Sequence, residues 1–181
     1  CIEDKEILES LPSIDVEYLL LQIRAKSVGE KIEFKYKPEE NKKPVMVEID
    51  LEKFEVIQDP KHVHKIEITD KIGVVMKDLT FADKISYATK YTEANKTDVI
   101  FETIVDCVQS IYDEDKVYTV GVDTTKAEVK EFIEQLAGVS HRLYEFIATM
   151  PQLSIEFKLP NGEKRKLTSS EVDFLVLSPV T

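Results

Sequence analysis

Glycine is scarce, with five in 181 residues. No G-x-x-x-x-G-K-[ST] or G-x-G-x-x-G occurs, so there is little material for a phosphate-cradling loop. H-E-x-x-H, G-x-S-x-G and C-x-x-C are missing too, and no strong catalytic signature marks the chain. Two cysteines, Cys1 and Cys107, make no disulfide framework and fit a reducing compartment. Bases are outnumbered, 24 against 35 acids, for a net charge of −11. Such a surface repels phosphate backbones and anionic lipid, so neither nucleic acid nor a membrane is an expected partner. No apolar run approaches the roughly 18–20 residues of a spanning helix; the densest is Tyr18–Ile23. The chain starts at Cys1 without a signal-peptide pattern, and Cys1–Leu11 reads as the end of a helix begun upstream.

What is present is ordinary globular material, 43% apolar and 33% charged. A fold of this length buries roughly 70% of its extended surface, enough for a core without staples. Ser13 or Asp15 can cap a helix over Asp15–Ser27, with Val16, Leu19, Leu20 and Ile23 as its inward stripe. Five of the six residues from Tyr18 to Ile23 are apolar, which predicts cover on both sides. Either the helix is simply central to the chain's own core, or one side belongs to a partner or an absent N-terminal segment, with Tyr18, Leu21 and Arg24 as the candidate partner-binding residues.

The period then changes to two. Ile32, Phe34 and Tyr36, then Val45, Val47 and Ile49, predict a hairpin. Phe54–Ile57, Val63–Thr69 and Ile72–Met76 extend it, with turns at Asp59-Pro60 and Asp70-Lys71. A T-x-x-D start at Thr80 opens a helical region, in which Phe81, Ile85 and Ala88 share a face. Ile100, Ile104, Cys107, Val108 and Ile111 predict a second helix, ended by Asp113-Glu114-Asp115. Val117–Val122 is a short strand or connector. Thr125 with Glu128 is a capping box, and a break at Gly138 divides two further helices. Ile104 and Phe132 are expected core positions. Leu153–Leu159 and Lys164–Leu167 flank Asn161-Gly162 as a last hairpin, before a helical turn through Phe174. The segments Lys31–Lys35 and Ser154–Lys158 share Ile-Glu-Phe-Lys, too few residues to define a repeat.

The fold class expected is α+β: an antiparallel meander over about 31–77, a helical region over about 80–150, and a C-terminal hairpin. The organisation expected is 1–30 helical, 31–78 β, 79–151 helical and 152–181 hairpin with a terminal turn, within one composite domain.

Three constellations could carry chemistry. His62-Val63-His64 places two imidazoles on one strand face, but no third ligand is fixed by the sequence. The pair is expected to be solvated and without a structural metal. Cys107 and His141 could form a nucleophile and base, yet Cys107 falls on an apolar stripe and reads as a small core hydrophobe. Asp113-Glu114-Asp115 lacks calcium-loop spacing. No catalytic residue, cofactor or metal site is expected.

The stretch Leu11–Glu30, LPSIDVEYLLLQIRAKSVGE, resembles the L-P-x-x-D-x-E-Y-L-[FL]-x-x-[IL]-R-[AS]-K-S-V-G-E pattern of the T4-like bacteriophage baseplate protein family. Phe146–Leu153, FIATMPQL, is similar to its F-F-x-T-M-P-x-L segment, with Ile147 at the second aromatic. Phe132–Leu136 also fits, and Cys1-Ile2 matches the end of the family's N-terminal helical region. The resemblance implies a non-enzymatic hub or hub-assembly protein of a contractile-tail baseplate. It would contact other baseplate and tail proteins, or itself, in the host cytoplasm and then in the virion. A rival reading is a cytoplasmic chaperone absent from the mature particle; another is a small metal-dependent or thiol hydrolase.

Overall fold

The computed structural model describes residues 5–38, 43–90, 92, 95–136 and 140–170. Among these lie α1 (Lys5–Ser10), α2 (Ser13–Val28), β1 (Lys31–Tyr36), β2 (Val45–Asp50), β3 (Glu55–Ile57), β4 (Lys65–Glu67), β5 (Gly73–Met76), α3 (Phe81–Lys90), α4 (Lys96–Cys107), β6 (Val108–Tyr112), β7 (Val117–Thr119), α5 (Lys126–Gln135), α6 (Ser140–Thr149), β8 (Gln152–Lys158) and β9 (Lys164–Thr168). The class is α+β with antiparallel strand pairing, and β8–β9 is the C-terminal hairpin. The expected terminal turn and Gly138 lie outside the described residues.

The chain divides into two compact units, each assembled from two stretches. One unit combines Cys1–Ser13 with Asp59–Met150; the other combines Ile14–Gln58 with Pro151–Thr181. The strands of the expected meander are accordingly shared among three sheets: β1-β2, β3-β8-β9 and β4-β5-β6-β7. Alternation marks a strand but not its partner, so the pairing of β3 with β8, about a hundred residues apart, was not readable locally.

In the unit of Ile14–Gln58 and Pro151–Thr181, strand alternation becomes burial. Ile32 and Phe34 of β1, Val47 and Ile49 of β2, and Leu153, Ile155 and Phe157 of β8 join one apolar cluster. The shared Ile-Glu-Phe-Lys segments thus supply equivalent residues to the same core. Phe34 and Phe157 pack edge to face at 6.1 Å, and Tyr36 meets Phe157 at 5.1 Å. Such pairs add roughly 0.5–1.5 kcal/mol beyond their burial. Gly162, with φ of 85°, closes the β8–β9 turn where an L side chain would be strained.

In the unit of Cys1–Ser13 and Asp59–Met150, α3 to α6 accompany the four-stranded sheet. Its core includes Ile66, Val74, Met76, Ile104, Val129, Leu143 and Phe146, with Phe132 packed partly buried against it. Thr80 and Asp83 form the anticipated reciprocal cap of α3. Thr125 and Glu128 form the capping box of α5. The face of Phe81, Ile85 and Ala88 is not fully buried, and Ile85 is 47% exposed. One prediction is corrected. The helix expected to run to the acidic triplet stops at Cys107, and β6 follows at once. Val108 and Ile111 satisfy a helical step, but buried Ser110 hides the strand alternation. Asp113-Glu114-Asp115 is instead the β6–β7 turn, where Asp113 accepts from the amides of Asp115 and Lys116 at 2.9 and 2.8 Å. These backbone donors hold the Asp113 carboxyl below its usual range.

Candidate functional site

The candidate partner-binding residues sit on α2, and the structure separates them. Leu21 is 0% exposed and belongs to the apolar cluster, with Ala25 one turn on. It is removed from the contact set, since a side chain already in the core offers nothing to a partner. Leu19 and Ile23, expected inward, face solvent at 39% and 52% exposure, beside Tyr18 at 38%. Leu20 and Arg24 are half-buried. At 100° per residue, positions 18, 19, 22 and 23 adjoin on one side of a helix. The face toward the apolar cluster runs through Ile14, Leu21 and Ala25. Val16 of the expected stripe is also inside, while Leu19 and Ile23 are not. An almost uniformly apolar stretch has no phase, so the sequence signalled two apolar sides without fixing which was inside. The outward side is Tyr18, Leu19 and Ile23, bordered by Asp15 and Lys26.

A second cluster arises where the sequence anticipated solvated histidines. His62 and His64 lie in the loop leading into β4, not in the strand. The His62 side chain is 0% exposed, which corrects the expectation of solvation, and the His64 side chain is 46% exposed. His62 stacks on Phe146 of α6 with ring centroids 4.6 Å apart and 30° between planes. The β4–β5 register pairs Lys65 with Val75 and Ile66 with Val74, and the Met76 amide donates to the His64 carbonyl at 2.7 Å. Continued by two residues, this register sets residue 62 opposite residue 78. Asp78 does arrive there: its Oδ1 lies 3.3 Å from His62 Nε2, and its Oδ2 lies 3.3 Å from His64 Nε2. The third group that the sequence did not fix is therefore Asp78. A hairpin centred near residue 70 was the available signal, since it pairs 62 with 78.

The imagined thiol pair gains no support. Cys107 is 1% exposed, and burial, with Asp83 adding, pushes its thiol up to about 12. A thiol so held is not an anion near neutral pH. His141 is exposed on α6, lining a cleft of about 300 Å³ with Lys61, Lys65 and Arg142. Elsewhere in this unit, the Tyr87 hydroxyl donates to Asp106 Oδ2, and Lys126 Nζ pairs with Asp106 Oδ1 at 2.5 Å. This ties α3, α4 and α5 together. Burial, then the bond to Asp106, raises the Tyr87 phenol above its ordinary range. The bond to Asp106 raises the Lys126 ammonium as well.

The family model described as T4 bacteriophage base plate protein matches residues 1–174. The chain belongs to this family and is a phage baseplate structural protein. No curated protein and no solved structure matches it. Among the described residues, no helix is long and apolar enough to cross a membrane.

Proposed function

We propose that the protein is a non-enzymatic component or assembly factor of the baseplate hub, acting through protein–protein contacts. The observation that carries this is the family match over nearly the whole chain, joined to an exposed apolar face inside the Leu11–Glu30 motif. The proposed contact is made by Tyr18, Leu19 and Ile23, with Arg24 at its rim, and the occupant is another baseplate polypeptide. Burying a fully exposed side chain of this kind contributes roughly 1.5–3 kcal/mol, and these three, at 38–52% exposure, have about half of that each to gain. The buried, high-pKa Cys107 supports a non-catalytic reading over a thiol hydrolase.

The test is affinity purification of the tagged chain during infection, with mass spectrometry of purified virions. Hub polypeptides should co-purify with the wild type and be lost from a folded Tyr18→Glu, Ile23→Glu variant. Presence in virions would mark a component; co-purification without incorporation would mark an assembly factor. Normal hub assembly by the folded double variant would contradict the proposed contact.

A further inference from the structure

The geometry points to a divalent transition-metal site, of the zinc class, formed by His62 Nε2, His64 Nε2 and one carboxylate oxygen of Asp78. Two imidazoles and a carboxylate are a three-ligand set for such an ion, with water completing four-coordination. The three ligand atoms lie within 4.8 Å of one another. Ligands of a tetrahedral ion at 2.0–2.1 Å stand about 3.3–3.4 Å apart. His62 Nε2 is already 3.3 Å from Asp78 Oδ1, and His64 Nε2 is 3.3 Å from the other oxygen, Oδ2. A shared ion needs the carboxylate to turn one oxygen toward both rings, and half-exposed His64 can move to meet it.

The hydrogen bonds around His62 argue for a cation rather than a plain histidine–aspartate contact. Thr149 Oγ1 lies 2.7 Å from the Glu145 carbonyl and 3.1 Å from His62 Nδ1. A hydroxyl has one proton, and the shorter contact, to the carbonyl, takes it. The Thr149 oxygen then accepts from His62 Nδ1–H. In the neutral ring this leaves the Nε2 lone pair aimed at Asp78 Oδ1, acceptor against acceptor. A metal ion between them removes that conflict without a second ring proton. The same arrangement, a ligating imidazole whose other nitrogen donates to a fixed oxygen, is the usual outer support of a metal-bound histidine. The stack on Phe146 and the β4–β5 register hold His62 and Asp78 in place without the ion. The ion's role is a clip that joins the loop before β4 to the segment after β5, and it adds no catalytic step.

The full chain, stripped with chelator and titrated with Zn²⁺ against a competing chromophoric chelator, decides this. One Zn²⁺ per chain should bind and survive gel filtration, and Co²⁺ should give tetrahedral d–d absorption. His64→Ala and Asp78→Asn change half-exposed or partly exposed groups and should keep the fold. Each should weaken Zn²⁺ binding at least tenfold. Thr149→Val should weaken it about tenfold through His62 alone. Absence of stoichiometric binding by the wild type would overturn the site. So would wild-type affinity in both His64→Ala and Asp78→Asn. So would imidazole ¹⁵N resonances of His62 that show a proton on Nε2 and stay unmoved when Zn²⁺ is added.

Discussion

The two units solve the same problem with different materials. The unit of Ile14–Gln58 and Pro151–Thr181 is held by apolar contact: Leu21, the β1–β2 hairpin, β8, and a triangle of Phe34, Tyr36 and Phe157. The unit of Cys1–Ser13 and Asp59–Met150 has an apolar cluster of similar make-up. It adds partly buried polar ties, His62 with Thr149 and Asp106 with Tyr87 and Lys126, whereas the ion pairs of the first unit, Lys26 with Glu52 and Lys31 with Glu48, are exposed. Apolar contact is non-directional and tolerant of register errors in reading. A polar tie depends on which atom meets which, and it stabilises only when every partner is in place.

Truncation of core residues should have the largest effect and should not distinguish the units. Leu21→Ala and Ile104→Ala each leave a cavity at a site 0–1% exposed. Each should cost roughly 2–5 kcal/mol in chemical denaturation. A cost below about 0.5 kcal/mol at Leu21 would return that residue to the surface and reopen it as a contact.

The polar ties should separate the units. Asp106→Asn weakens two charge-assisted bonds at once and should cost about 1.5–3 kcal/mol. The Tyr87 phenol is raised above its unfolded value of about 10. The stability it contributes is therefore complete below that value and declines as pH rises beyond it. Hydrogen exchange at alkaline pH should loosen α3–α5 before β1, β2 and β8. Tyr87→Phe should remove that difference; simultaneous loosening in the wild type would break the comparison.

The smallest effect is at the α5 cap. Thr125→Ala should cost about 1 kcal/mol at neutral pH. The Glu128 carboxyl is held low, first by the Thr125 amide and then by its hydroxyl. Its contribution is present above the ordinary carboxylate range and is lost as pH falls through the depressed value. Thermal melts of the variant and the wild type should converge in acid.

Legibility in the sequence followed the same division. The alternation in Ile32–Tyr36, Val45–Ile49 and Leu153–Leu159 became strands and core, because a half-exposed sheet writes its period directly into the residue order. Both T-x-x-[DE] caps became hydrogen-bonded caps, since a cap is a local object. Three features were not recovered. Leu19 and Ile23 of the inward stripe of α2 were misassigned because five apolar residues among six carry no phase. The end of α4 was missed because Cys107 and Val108 are buried under either periodicity. Asp78 was missed because its relation to His62 exists only once β4 and β5 are paired.

The central claim is that the outward side of α2 meets another baseplate polypeptide. A photo-crosslinking amino acid placed at position 18 and expressed during infection tests it, with position 122, where Val122 is 81% exposed, as the control. The account predicts a light-dependent adduct to a hub polypeptide from position 18 and none from position 122. Hub adducts from both positions, or from neither while the chain still co-purifies with the hub, would contradict it.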